Sequence, residues 1–258
     1  MKFKKTVITL LAAIGLGTLG TTATQPVAAS TSKADVIKVT QQDLAKATDT
    51  KAAIKFGIKT GKKQLKFNGT MTMGNKPIVV HMVASNKLLP TNIEEWIDSG
   101  TGKFYILDGK TWVKGDMSKE DLASFTDTTQ AATTPAFYKK LAKKAKLTHS
   151  GDAYTVSGKI TDQKWLSKIM LETAKSTKLS KKEQKAIKKQ LKKTKFKNVS
   201  VKMTTTNDKL TDYKLSAKVG LSKKISFTFS MDMSEFGQHS DLAVPSDIVS
   251  SATEAPKD

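Results

Sequence analysis

The chain has 258 residues, with 44 lysine or arginine against 23 aspartate or glutamate, a formal net charge of +21, and no cysteine. Every basic residue is lysine. The missing cysteine excludes disulfides, thiol catalysis and thiolate metal sites, and the missing arginine argues against a dedicated reader of nucleic-acid sequence, which relies on planar bidentate contacts. What remains is a long-range positive field that favours polyanions without geometric discrimination.

The first residues carry Lys2, Lys4 and Lys5, followed by an apolar run from Val7 to Gly17 and by small residues up to Val27-Ala28-Ala29-Ser30. These are the three parts of a secretory signal peptide. The apolar run falls short of the roughly 20 residues a membrane span needs. Residues 1–29 are therefore expected to be a signal peptide cut after Ala29, and residues 30–258 the secreted, extracellular or wall-associated protein. With no cysteine after the cut site, no lipid anchor is expected there.

Ala34 to Ala47 reads as a helix with Val36, Val39 and Leu44 on one stripe. The period then changes to two. Ala53–Lys59, Leu65–Met73 and Ile78–Ala84 alternate apolar with polar residues and are separated by Thr60-Gly61-Lys62 and Gly74-Asn75. Such neighbouring runs predict antiparallel strands with one apolar and one wet face. Phe104–Leu107 and Thr111–Lys114 flank Asp108-Gly109, a strong hairpin signal.

The middle changes character. Ser118 and Asp121 read as a helix start, residues 124–136 as a loop, and Phe137, Tyr138, Leu141 and Ala145 as a helix face. Strands return from Leu147 to Ile160. Asp162 caps a helix presenting Trp165, Leu166, Ile169 and Met170, and Ser180 with Glu183 forms a capping box for another. Phe196–Thr206, Asp212–Leu221 and Ile225–Met233 give three further strands. This order predicts an α+β fold: a curved antiparallel sheet, an unclosed β-barrel, with helices packed over its concave face.

Candidate chemistry is sparse. His81, His149 and His239 are far apart and match no metal-binding spacing, and no serine-hydrolase elbow is present. Glu94 and Glu95 are adjacent, so on a strand they point to opposite faces. No catalytic residues, metal site or cofactor are expected, and the chain is not read as an enzyme. Met71, Met73, Met82, Met203, Phe227, Phe229, Met231 and Met233 fall on predicted strands, several at the i, i+2 spacing that shares a face. With the helix residues Trp165, Leu166, Ile169 and Met170 they form either a packed core or a hydrophobic ligand cavity. Alternation alone does not separate the two. Lys181, Lys182, Lys185, Lys188, Lys189, Lys192 and Lys193 crowd one predicted helix, either as its solvated face or as a site for polyanion.

Three segments carry a family likeness: the hairpin Phe104-Tyr105-Ile106-Leu107-Asp108-Gly109-Lys110-Thr111-Trp112-Val113-Lys114, the strand Asp152-Ala153-Tyr154-Thr155-Val156, and Leu242-Ala243-Val244-Pro245-Ser246-Asp247-Ile248. With the element order they resemble the lipoprotein-carrier superfamily, that is, the periplasmic lipoprotein chaperone and its actinobacterial lipid-carrier cousins. The closer likeness is to Gram-positive envelope proteins of unknown function. The resemblance implies one carrier-like domain over 30–258, with helices as a lid over an apolar cavity. It also implies non-covalent carriage of a lipid or acyl chain, and it offers no catalytic residues. The alternative is a module without a cavity that attaches through lysine to wall teichoic acid or an anionic membrane surface.

Overall fold

A computed structural model describes residues 32–75, 77–86, 92–118, 135–168, 189, 194–220 and 225–255. The period-two segments form β1 (Asp49–Thr60), β2 (Lys63–Asn75), β3 (Ile78–Ser85), β4 (Ile93–Asp98), β5 (Lys103–Asp108) and β6 (Thr111–Asp116). The second half supplies β7 (Lys146–Ser150), β8 (Ala153–Ile160), β9 (Lys195–Thr206), β10 (Lys209–Gly220), β11 (Ile225–Ser234) and the short β12 (Thr253–Glu254). Helices are α1 (Lys33–Lys46), α2 (Pro135–Lys144), α3 (residues 163–168) and α4 (Ser246–Ser251).

All these strands belong to one sheet in the order β12-β6-β5-β4-β3-β2-β1-β11-β10-β9-β8-β7. Pairing is antiparallel throughout except that β12 runs parallel to β6. The two ends do not pair, so the curved sheet stays unclosed, and α1, α2 and α3 pack on its inner face. This is the α+β arrangement expected from the alternation. Turns follow local chemistry. Gly109 takes φ +65 in the β5–β6 hairpin, and Asn207-Asp208 joins β9 to β10 with both residues at positive φ, which these two side chains tolerate best after glycine.

Cross-strand partners share a face, so register maps the inner face directly. One row runs Val156, Met203, Tyr213, Met233, Ala52, Met71, Met82, Glu95, Ile106, Val113, crossing β8, β9, β10, β11, β1, β2, β3, β4, β5 and β6 in turn. Its first six members are buried. The last four are half-buried or exposed.

The helices cover the buried end. Ser32 caps α1 by accepting the Asp35 N–H at 3.2 Å, while Asp35 accepts the Ser32 N–H at 3.0 Å. Helix α1 turns Val36, Ile37, Val39, Thr40 and Leu44 inward against β8, β9 and β10. Its Asp43 accepts the Leu210 N–H at 2.6 Å, next to the register shift between Leu210 and Asp212. Helix α2 buries Tyr138 and Leu141 on β8. Gly158 makes room for it: a Cβ there would stand 2.6 Å from Leu141 Cδ1. Helix α3 is held at both ends of one side chain, where Gln163 Oε1 accepts the Phe196 N–H at 2.7 Å and Gln163 Nε2 donates to the Thr194 carbonyl at 2.7 Å.

The outer face departs from the expectation of one apolar and one wet side. Over β3–β5, Val79, Trp96 and Tyr105 form a second buried cluster with Ile248 and Ala252, and with Trp112, Leu242 and Val244 partly buried around it. The physical reason is a pair of consecutive apolar residues on each strand, Val79-Val80, Trp96-Ile97 and Phe104-Tyr105, which supply both faces at once. The chain after β11 covers this back face. It is pinned where Asp49, itself buried, accepts the His239 N–H at 2.7 Å and the Thr48 hydroxyl at 2.8 Å.

Several expected features lie outside the described residues: the signal peptide with Ala29, the helix expected from Ser118, the 180s helix with Lys181, Lys182, Lys185, Lys188, Lys192 and Lys193, and the residues Ile169 and Met170. Lys189 is helical and exposed. Among the described residues no helix is long and apolar enough to cross a membrane.

Candidate ligand-binding face

The methionines and phenylalanines singled out by alternation do share the inner face. Met71, Met73, Met203, Phe227, Phe229, Met231 and Met233 are all buried in one cluster together with Leu166. Trp165 packs against that cluster, partly buried, 6.1 Å from the Phe137 ring and 5.7 Å below the Lys140 ammonium. Asp162 starts α3 by accepting the Trp165 N–H at 3.0 Å and pairs with Lys140 at 2.7 Å. Those two contacts hold its carboxyl below the usual range, with the Lys140 contact the larger cause. Within the covered zone Tyr138 and Tyr213 bring their phenols together from α2 and β10. Burial pushes Tyr213 up to about 12 and Tyr138 well above its ordinary value.

The other half of the same face is different. Ile54, Phe56 and Ile58 on β1, Phe67 on β2, Met82 on β3, Ile93 on β4 and Val113 on β6 are half-buried. Leu65 is 42% exposed and Ile106 37%. Register joins them into one patch: Ile58 lies opposite Leu65, Phe56 opposite Phe67, Ala84 opposite Ile93, and Ile106 opposite Val113. Phe56 and Phe67 stack at 4.4 Å with planes 12° apart. Beside this patch the Phe104 ring lies over Gly115, where a Cβ would come within 2.6 Å of it.

One acid interrupts it. Glu95 stands between Met82 and Ile106 in register, and desolvation raises its carboxyl above the ordinary 4.5. Its neighbour Glu94 faces the other way and meets the half-buried His81 at 2.9 Å, where the imidazole stacks on Trp96 at 4.1 Å. The two acids are thus separated by the sheet, as their adjacency requires. Among the described residues no three His, Asp or Glu side chains gather to hold a metal ion.

Sequence reasoning weighted methionine and so pointed at the covered zone, apart from Met82. The open patch carries its own signal in the same alternation, through Ile54, Phe56, Leu65 and Phe67. Glu95 was legible too, because two consecutive acids on a strand force one of them onto the apolar side.

Solved structures similar to this chain include LprF from Mycobacterium bovis, at 9% identity and TM-score 0.40 over 82% of this chain and 96% of that one. The Mycobacterium tuberculosis lipoprotein LppX matches at 11% identity and TM-score 0.40 over 83% and 100%. A DUF1329 family protein from Desulfovibrio piger matches at 11% and 0.29 over 83% and 95%. At these scores they add no argument about the site. No curated protein matches the chain. The model of one family spans residues 32–253, nearly all of the described sheet and its helices, and the chain belongs to that family, the family of unknown function DUF6612.

Proposed function

We propose that this protein binds a hydrophobic ligand, a lipid or acyl chain, on the open half of its inner sheet face and carries it outside the cytoplasm without a chemical step. The observation that carries the reading is the apolar patch of exposed Leu65 and Ile106 with partly buried Ile54, Phe56, Phe67 and Met82, continuous with a fully buried core. An extended chain laid along such a patch removes apolar area from water at roughly 25 cal/mol per Å². Glu95 adds direction. A desolvated carboxyl favours its neutral form or a donor partner, so the ligand's polar end is expected to carry a hydroxyl or amine near Met82 and Ile106.

The test is native mass spectrometry of protein purified from a secreting host, with solvent extraction of whatever is bound, followed by titration with a fluorescent fatty acid. A stoichiometric lipid or acyl adduct, or saturable probe binding, is expected. A clean apoprotein that also fails to bind the probe would overturn the reading.

A further inference from the structure

On the face opposite the apolar patch, an open groove of about 550 Å³ runs over β8, β9 and β10. Among the described residues five lysines line it, Lys144, Lys146, Lys159, Lys202 and Lys214, and no acidic side chain does. Lys214 is bonded to Asp232 at the groove's edge, while the other four lysines are exposed.

Register explains the gathering. Lys146, Ser157, Lys202 and Lys214 stand opposite one another in one row across β7, β8, β9 and β10. In the adjacent row Lys159, Ser200 and Ser216 do the same. At about 4.8 Å per strand the longer row spans about 14 Å. Ammonium and hydroxyl donors are therefore spread along a trough rather than meeting at a point.

We infer that this groove seats a linear polyanion of repeated phosphate groups. Each phosphate offers several acceptor oxygens, enough to take a lysine from one row and a serine from the next. Lysine is a point charge on a flexible stem, which suits repeated charges of loose register better than a single rigid anion. A bilayer surface fits less well, because the groove is concave and none of the exposed apolar side chains Leu65, Ile106 and Val249 lines it. The site is independent of the lipid reading, since it lies on the other side of the sheet.

The test is fluorescence anisotropy of the full chain with end-labelled linear polyphosphate, at 50 and 200 mM salt. Binding is expected to weaken about tenfold or more between the two, as counterions are released. Lys159→Gln with Lys202→Gln is expected to weaken it about threefold to tenfold at 50 mM salt. Lys59→Gln with Lys63→Gln, an equal loss of charge on exposed residues of β1 and β2, should change it less than about twofold. Circular dichroism confirms that both pairs fold.

Equal losses in the two double variants would overturn the inference in favour of net charge alone. Absence of binding at 50 mM salt would overturn it outright. Equal affinity for polyglutamate would overturn the phosphate assignment. Groove-dependent binding to vesicles containing anionic lipid, with no competition from polyphosphate, would assign the groove to a membrane surface instead.

Discussion

The two halves of the inner face are built from the same alternating strands and end in different states. In the half formed by β8–β11, the row through Val156, Met203 and Tyr213 is sealed by α1 and α2, and Val156 and Met203 are each 0% exposed. Past Ala52 and Met71, which are still buried, the same row continues on β3–β6 through Met82, Glu95, Ile106 and Val113, and exposure rises to 37% at Ile106. Residue type does not make this difference, since both halves are apolar on this side. It comes from where the helices dock. Two devices fix that docking: Gly158, which lets α2 approach β8, and Gln163, which ties α3 to the start of β9. The lesson is that a strand pattern specifies a face, whereas the helix contacts decide which part of it is core and which part stays partly exposed.

Substitutions separate the two halves, and the largest effect belongs to the sealed one. Met203→Ala should cost about 2–5 kcal/mol through lost burial and a cavity, and so lower the thermal midpoint by roughly 5–15 °C. Differential scanning calorimetry checks this; a change within about 1 °C would mean that the sealed half is loosely packed. Gly158→Ala should cost less, about 1–3 kcal/mol, because the added methyl forces Leu141 aside and not the strand backbone. Chemical denaturation reads that cost, and a stabilised variant would show that α2 does not dock as described.

The open half should behave in the opposite way. Leu65→Ser and Ile106→Ser should each change stability by no more than about 0.5 kcal/mol. Each should weaken acyl-probe binding by about fivefold, from the loss of a partly buried aliphatic contact. Probe titration beside thermal denaturation separates the two quantities. Large destabilisation with unchanged probe affinity would turn the patch into ordinary core.

The smallest effect concerns Glu95. Burial raises its folded pKa above the unfolded value, so the neutral form is the one the fold favours. Its contribution to stability is full below about 4.5 and is lost as the pH rises through the raised folded value. Glu95→Gln should remove that loss, leaving the variant equal to wild type at low pH and slightly more stable at neutral pH. Denaturation midpoints measured across this range check the sign. A variant less stable than wild type at neutral pH would show that the carboxylate has a stabilising partner.

Much of the sheet is legible in the sequence, because β1, β2, β9, β10 and β11 alternate over ten or more residues between turn signals. The second cluster was harder to see. Its strands carry apolar residues on both faces, and its cover comes from Ile248 and Ala252, more than a hundred residues downstream of the strands they protect. A two-residue parallel strand such as β12 has no period to read. The lysines teach a related point. A run of charge is conspicuous in sequence, yet the groove lysines 146, 159, 202 and 214 come together only through strand register, with Lys144 added from the end of α2. Glu95 was visible as an acid pair but not as a member of a ten-strand row, because that row exists only once the register of every hairpin is set.

The most direct test of the open half is photo-crosslinking of the protein with a diazirine-bearing fatty acid, with the labelled peptides mapped by mass spectrometry. Labels concentrated on Ile54–Ile58, Leu65–Phe67, Met82 and Phe104–Ile106, and competed away by unlabelled fatty acid, are the predicted result. Labels scattered over the outer face, or insensitive to competitor, would contradict the assignment of this face to a hydrophobic ligand.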